Sequence, residues 1–394
     1  MKALTRTIVL LSFVSLFTDV ASEMLYPITP IYLESLGYSI LFIGLLEGFA
    51  EAIASISKGY FGKLSDITGK RVLFVRFGYS LSAISKPLIG FIINPVWVFV
   101  MRGLDRVGKG IRTAPRDALL SQESLVADRG KVFGFHRGMD TVGAAIGPAL
   151  AMIFLFFYPG KYRALFLYSI FPGIIAIVLT LLLKDKQNKN TAGTVKMKRV
   201  NFFAQFSYWR NSPKEYKILV FLLLIFTLMN SSDVFLLLKM KNSGHGDFMV
   251  IGLYVFYNLV YALTSYPAGR AGDKFGFKIM LLAGMACFSL VYTAMAFTTN
   301  PYLYVFLFFI YGLYYALSEG ISKAWLSKLC RQEDMGTAIG LFTGLQGICT
   351  LIASILAAIF WRYISPSAPF IISGIAAFIL VVFMAVNRKL GIAG

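Results

Sequence analysis

Two ten-residue stretches of one form decide the fold of this chain: GKLSDITGKR at positions 62–71 and GRAGDKFGFK at positions 269–278. Both fit the pattern G-x-x-x-D-x-x-G-x-[KR], and they lie 207 residues apart. Two further landmarks recur in the same order at nearly the same distance: Asn-Pro at 94–95 and 300–301, and Gly-x-x-x-Gly at 130–134 and 336–340. The sequence therefore predicts two related halves that share one scaffold.

The composition predicts that both halves lie in a membrane. Of the 394 residues, 57% are hydrophobic and 14% are charged, whereas soluble domains carry about 25% charged residues. A bilayer core of roughly 30 Å is crossed by about 20 apolar residues in a helix. The sequence has twelve stretches of that kind, near 7–33, 39–62, 72–93, 96–120, 131–158, 163–184, 216–239, 248–269, 277–298, 302–328, 336–361 and 366–386.

We therefore predict an all-α membrane protein with twelve transmembrane helices in two pseudo-symmetric six-helix bundles. The bundles are expected at 1–184 and 216–394, joined by a basic cytoplasmic linker at 185–215. Within the linker, Phe202, Phe206 and Trp209 recur at helical spacing. This pattern fits an amphipathic helix on the inner leaflet, and a disordered linker fits equally well.

The distribution of basic residues predicts the orientation in the membrane. The net charge is +19, and Lys and Arg collect in alternate loops while the loops between them are nearly bare. This positive-inside pattern places both termini in the cytoplasm and indicates a cytoplasmic (inner) membrane. Membrane topology thus accounts for most of the basic excess. The lipid bilayer is an expected partner, and no nucleic-acid partner is expected.

The repeated motifs resemble those of the major facilitator superfamily. The two ten-residue stretches are similar to that family's signature between helices two and three, and its copy between helices eight and nine. Gly143-x-x-x-Gly147-Pro148 resembles the family's antiporter motif, although Ala151 and Met152 stand where it usually ends in two glycines. Arg102 resembles the family's membrane arginine. The resemblance covers essentially the whole chain and implies a secondary transporter that alternates its exposure to the two sides.

The repeated stretches are expected to act in gating. An Asp just past a helix end, close to a Lys or Arg, can hold two helices together in one conformation and release them in another. A static turn is the alternative. The residues expected to gate are Gly62, Asp66, Gly69, Arg71, Gly269, Asp273 and Gly276, together with Gly143, Gly147 and Pro148.

Charged residues inside predicted spans are concentrated in the first half, and such residues are expected to be functional. Asp19 and Glu23, and likewise Glu47 and Glu51, are i, i+4 pairs. The fourth helix carries six charged residues along one face: Arg102, Asp105, Arg106, Lys109, Arg112 and Arg116. The resemblance implies that Asp19 and Glu23 lie opposite Arg102 and Arg106 across a central cavity.

Two interpretations of these charges stay open. In the functional one, Arg102, Arg106 and Lys109 bind an anionic substrate, helped in the second half by Asn230, Asp233 and Glu319. Protons are then exchanged by Asp19, Glu23, Glu47, Glu51 and Asp105. In the structural one, the acids and bases only neutralise one another and fix the packing of helices.

Other functions are disfavoured by the sequence. Gly103 to Lys109 nearly matches the phosphate-binding G-x-x-x-x-G-K-[ST], but Gly110 replaces the hydroxyl residue and the segment lies inside a predicted helix. Cys287, Cys330 and Cys349 have no metal-type spacing. We expect no enzyme activity, cofactor or metal. We predict a monomeric proton-coupled carrier of a small organic anion, the alternative being a multidrug/proton antiporter for amphipathic or cationic compounds.

Overall fold

A computed structural model describes residues 5–124, 129–184, 208–330 and 335–387, and every regular element among them is an α-helix. Most of the predicted linker lies outside the described residues. The helices are α1 Arg6–Leu25, α2 Ile28–Ser35, α3 Ile40–Thr68, α4 Arg71–Ile89, α5 Pro95–Glu123, α6 Arg129–Phe157, α7 Tyr162–Tyr168, α8 Ile170–Leu181, α9 Tyr208–Asn211, α10 Lys214–Met229, α11 Val234–Asn242, α12 Asp247–Phe275, α13 Phe277–Phe297, α14 Pro301–Lys328, α15 Met335–Tyr363 and α16 Ala368–Val386.

Twelve membrane segments can be recognised among the described residues. Eleven are long and apolar enough by composition, with α1–α2, α7–α8 and α10–α11 each forming one interrupted segment. The twelfth is α5, whose 29 residues carry the charged face predicted from the sequence. Large apolar side chains cover outward surfaces, as in α16, where Phe378 is 58% and Ile379 62% exposed. Exposed apolar side chains on helices of this length and hydropathy are typical of surfaces that face lipid.

The described residues fall into two compact units. The first unit consists of residues within Met1–Tyr32 and Phe49–Ala204, and the second consists of residues within Leu33–Gly48 and Gln205–Gly394. In the first unit α1 packs on α6 and α8, and α4 packs on α5 and α8. In the second unit α10 packs on α15 and α16, and α13 packs on α14 and α16. The same set of helix pairings therefore occurs twice, as the sequence repeat predicts.

The repeated Asn-Pro pair begins the corresponding long helix of each unit. Asn94 Oδ1 accepts hydrogen bonds from the backbone N–H groups of Val96 at 2.9 Å and Trp97 at 3.2 Å. Asn300 Oδ1 accepts one from Tyr302 N–H at 2.9 Å. An Asn cap followed by Pro at the first helical position satisfies backbone donors that a helix start leaves unpaired.

The glycine at the eighth position of each ten-residue stretch lies at the turn between two membrane helices. Gly69, between α3 and α4, has φ +68°, and Gly276, between α12 and α13, has φ +90°. A side chain at either position would be strained, because L-residues rarely adopt positive φ. This requirement explains why both copies carry glycine there.

Two arginines of the first unit close helix ends. Arg76 donates to the carbonyl oxygens of Thr180 at 3.0 Å, Leu181 at 3.1 Å and Leu183 at 2.6 Å, where α8 ends. Arg163 donates to Gly90 O at 2.8 Å, where α4 ends. A helix end leaves carbonyl groups unpaired, and cationic donors satisfy them well.

Candidate functional site

The charged face of α5 is buried against α4, with Asp105 at its centre. The Lys86 ammonium lies 2.9 Å from Asp105 Oδ1, and both side chains are at most 6% exposed. Arg102 and Arg106 approach Asp105 Oδ2 at 3.7 and 3.8 Å. Ser82 donates a hydrogen bond to the same carboxylate. One carboxylate is therefore shared by three cations at a depth where an unpaired charge would be very costly.

Arg106 connects this group to α3. Its Nη1 atom lies 3.4 Å from Glu51 Oε1, and the Glu51 side chain is 38% exposed. These contacts join three cations, Lys86, Arg102 and Arg106, to two carboxylates, Asp105 and Glu51. We call these five residues the basic cluster. Lys109, one turn farther along α5, is exposed.

Asp19 and Glu23, the acids of α1, are both half-buried. Charged residues near Asp19 are Glu23 on the same helix, Lys109 and Arg112 on α5, and Asp140 on α6, so this carboxylate lies toward the second half of α5 and toward α6. Glu47 is buried, in the part of α3 that belongs to the second unit.

A further group of polar side chains involves α1, α5 and α6, in which His136 is buried and Asp117 is partly exposed. His136 Nδ1 is 3.3 Å from Ser12 Oγ, and His136 Nε2 is 3.7 Å from Asp140 Oδ1. Arg116 donates to Ser15 Oγ at 3.0 Å and pairs with Asp117 at 2.8 Å. His136 and Asp140 are four residues apart on α6, and their 3.7 Å separation is too long for a hydrogen bond.

The glycines of the antiporter-like motif lie where α6 touches α1. A Cβ atom on Gly143 would come within 2.5 Å of Leu16 O, and one on Gly147 within 2.6 Å of Val20 O. Pro148 follows inside the same helix. Only glycine allows the two backbones to approach this closely.

The two ten-residue stretches differ in their surroundings. In the first, a Cβ on Gly62 would meet Ala114 of α5 at 2.8 Å, and Arg71 donates to Gln122 of α5 at 2.9 Å. In the second, nothing lies within 4 Å of such an atom on Gly269. The side chains of Asp66 and Asp273 lie outside the described residues.

In the second unit the membrane segment is interrupted between α10 and α11. Asn230 ends α10 with extended backbone angles, and Asp233 precedes the first turn of α11. Asn, Ser and Asp side chains compete with helical hydrogen bonds, which accounts for a break at Asn-Ser-Ser-Asp. At this break the Asp233 side chain contacts α12 and α14, and the Asn230 side chain contacts α13 and α14.

Tyrosines of α12 and α14 surround the Asp233 carboxylate. Tyr257 donates to Oδ2 at 2.7 Å, while Tyr311 and Tyr315 donate to Oδ1 at 2.7 and 2.8 Å. Beside them, Asn230 Nδ2 donates to the Tyr314 hydroxyl at 2.7 Å. We call Asp233 with Tyr257, Tyr311 and Tyr315 the Asp233 cluster.

Glu319 lies farther along α14. It accepts a hydrogen bond from Tyr261 at 3.0 Å and pairs with Lys323 at 2.8 Å. The sequence indicates that the tyrosines of these two helices could line a binding surface, although aromatic residues in membrane helices more often pack or lie at interfaces. These residues are Tyr254, Tyr257 and Tyr261 on α12 and Tyr311, Tyr314 and Tyr315 on α14.

The described residues contain no group of three or more His, Cys, Asp or Glu side chains that could hold a metal ion. The candidate site residues described above are ion pairs and hydrogen-bonded tyrosines inside membrane helices. Together with two repeated bundles, they are typical of a multi-pass membrane transporter.

Comparison with known proteins identifies its family. The sequence model of one protein family, the Major Facilitator Superfamily, matches residues 11–256 and 234–390 of this chain. An uncharacterized MFS-type transporter from Methanocaldococcus jannaschii is 33% identical over 384 residues, or 96% of this chain and 94% of that protein. The chain belongs to the Major Facilitator Superfamily, and the predicted resemblance and fold are confirmed.

More distant relatives agree with this assignment. A multi-drug resistance efflux pump PmrA homolog from Lactococcus lactis is 23% identical over 83% of this chain and 84% of its own length. The crystal structure of the nucleoside transporter NupG has the same fold, with a TM-score of 0.81 over 98% of this chain and 100% of that one, at 14% identity.

Proposed function

We propose that this transporter carries a small organic anion, such as a carboxylate-bearing metabolite or chelate, by proton-coupled alternating access. The observation that supports this most is the basic cluster, in which three buried or nearly buried cations are joined to two carboxylates. A substrate carboxylate has the same charge and shape as Glu51 and can take its place at Arg106. Guanidinium groups bind carboxylates well through two parallel hydrogen bonds.

Coupling to protons follows from this exchange of partners. A carboxylate that loses its cationic partner binds protons more tightly, so Glu51 takes up a proton when the anion displaces it. The proton and the anion then cross together, and both leave when Arg106 and Glu51 pair again. Asp19 and Glu23 on α1 and Glu47 on α3 are the further proposed proton carriers, with Asp105 holding the cluster together.

We further propose a cytoplasmic-membrane location with both termini in the cytoplasm. The moving bodies are residues 1–184 and 216–394, connected by 185–215. The tight contacts at Gly143 and Gly147, and the Arg71–Gln122 hydrogen bond, fit elements that hold helices in one state. Asp66, Asp273 and the glycines of the two repeated stretches remain proposed gating residues.

The test uses purified protein and proteoliposomes. A panel of organic anions is screened by thermal shift, because a bound ligand raises apparent stability. Uptake of the anions that bind is then measured under an imposed proton gradient in Arg102→Ala and Arg106→Ala. Losing a hydrogen bond between charged groups lowers uptake about tenfold or more. The matched control is Lys161→Ala, which removes an exposed Lys between α6 and α7. Unchanged uptake of every anion by both arginine variants would reject the anion proposal.

Proton coupling has its own measurement. In Glu51→Gln, exchange of labelled for unlabelled anion continues, whereas accumulation against a gradient is lost. Asp19→Asn and Glu23→Gln are compared in the same assay. Full accumulation by all three variants would mean that these carboxylates do not couple transport to protons.

A second candidate is a multidrug/proton antiporter for amphipathic or cationic compounds. It is supported by the efflux-pump relative and by the Asp233 carboxylate in the second unit. Export driven by a proton gradient, lost in Asp233→Asn and retained in Arg102→Ala, would favour this candidate over the anion carrier.

A further inference from the structure

The Asp233 cluster combines a carboxylate with aromatic ring faces. The centroids of Tyr257, Tyr311 and Tyr315 lie 5.2 to 5.9 Å from one another. Tyr257 and Tyr315 are nearly parallel, at 21°, whereas the Tyr311 ring is close to perpendicular to Tyr315, at 83°. The three hydroxyls hold the carboxylate at the edge of this group of rings.

The residues in and around the cluster differ in exposure. Tyr257 and Tyr311 are 4% and 1% exposed, and the neighbouring Tyr292 and Tyr314 are at most 3% exposed. Asp233 and Tyr315 are only partly buried, as is Tyr261 next to them. The Asp233 carboxylate and the Tyr315 ring are therefore the parts of the cluster that a ligand can reach.

The hydrogen bonds also fix the position of the carboxylate. Its donors come from α12 and α14, while Asp233 itself lies at the break between α10 and α11. Three elements are thus tied to one negative group. Asn230, at the same break, is held by Tyr314 and lies 3.5 Å from the Tyr292 hydroxyl.

This arrangement selects one class of ligand. Aromatic faces attract cations, and they favour organic ammonium groups, whose methyl or methylene groups contact the ring while the charge is held nearby. A carboxylate beside the rings adds a direct counter-charge. A strongly hydrated metal ion would need several oxygen ligands in place of ring carbons.

We propose that the Asp233 cluster is a binding site for the ammonium group of an organic cation. Given the carrier function proposed above, this site gives the second unit a ligand chemistry opposite to that of the basic cluster. Asp233 supplies the counter-charge, Tyr315 the accessible ring face, and Tyr257 and Tyr311 the donors that hold the carboxylate in place.

The test is calorimetric titration of the purified full chain in detergent with three probes of similar size. Benzyltrimethylammonium is the cation, phenylacetate the anion and benzyl alcohol the neutral compound. We expect saturable binding of the cation, with an affinity about tenfold or more above that of the neutral probe. Asp233→Asn is expected to weaken cation binding about tenfold or more while leaving binding of the neutral probe unchanged.

Two controls match these changes. Asp247→Asn removes a carboxylate of the same unit that pairs with Lys241 outside the cluster, and Tyr302→Phe removes a hydroxyl from an 84% exposed tyrosine of α14. Both are expected to bind the cation as the unaltered chain does. Should Asp233→Asn fail to fold, Tyr315→Ala and Tyr315→Phe replace it, and the alanine variant is expected to lose cation binding more severely because the ring itself is missing.

The outcomes separate this site from the proposed anion transport. Cation binding that is lost in Asp233→Asn and kept in Arg102→Ala supports the site, whatever happens to anion uptake. Equal affinity for cation and neutral probe, or undiminished cation affinity in Asp233→Asn or in Tyr315→Ala, overturns the site. Such a result would leave the cluster as a structural tie between helices, with the anion proposal unaffected.

Discussion

Asp105→Asn is expected to destabilise the first unit strongly. The amide keeps the shape of the carboxylate but removes the charge that lies 2.9 Å from Lys86, in a pair whose side chains are 2% and 6% exposed. Removing one partner of a buried ion pair costs about 3–5 kcal/mol, because the other charge stays buried without compensation. For a unit of 150–250 residues this lowers the Tm by about 6–20 °C.

The matched control lies on the same helix. Asp117 pairs with Arg116 at 2.8 Å, but its side chain is 44% exposed. Exposed pairs contribute about 0–1 kcal/mol, so Asp117→Asn is expected to lower the Tm by no more than about 4 °C. Thermal unfolding in detergent, followed by circular dichroism, compares the two variants directly.

A double variant tests the physical cause. Lys86→Met combined with Asp105→Asn removes both charges of the closest pair, and it is expected to be more stable than the sum of the two single effects. The reasoning is refuted if Asp105→Asn shifts the Tm no more than Asp117→Asn, or if the effects of the two substitutions simply add.

Two other predictions concern helix contacts. Gly147→Ala brings a methyl group within 2.6 Å of Val20 O; it is expected to cost about 1–3 kcal/mol by overpacking, measured as a lower Tm. Gly138→Ala on the same helix has nothing within 4 Å of the new atom, so it is expected not to lower the Tm. An equal decrease in Tm for the two variants would contradict the close contact at Gly147. Arg76→Ala removes the donor to the carbonyl oxygens at the end of α8. It is expected to speed amide hydrogen exchange in residues 177–184. Unchanged exchange in these residues would reject the capping role of Arg76.

Local features of the fold could be predicted from the sequence because they depend on near neighbours. The caps at Asn94 and Asn300 need only the residues that follow them. The turns at Gly69 and Gly276 need only a residue that tolerates positive φ. Because the two halves repeat, a cap or turn predicted in one half is also predicted at the equivalent position of the other half.

Contacts between helices could not be predicted in the same way. The periodicity of α5 shows that its charges share one face, but it does not show which helices supply their partners. The pairing of Asp105 with Lys86 of α4 could not be predicted from it. The break at Asn230 was also missed, because the apolar stretch at 216–239 contains neither Gly nor Pro. Short polar side chains end that helix instead.

The equivalent helices α5 and α14 show how one scaffold carries two chemistries. Counted from Pro95 and Pro301, Asp105 corresponds to Tyr311, and Lys109 to Tyr315. In the same alignment Arg106 corresponds to Gly312, where a Cβ would come within 2.7 Å of Tyr257 O. The missing side chain lets α12 approach α14, which brings the Tyr257 hydroxyl to the carboxylate that Tyr311 and Tyr315 already hold. Replacing a long cation by glycine at this position therefore both removes a charge and creates the room in which the tyrosines surround Asp233.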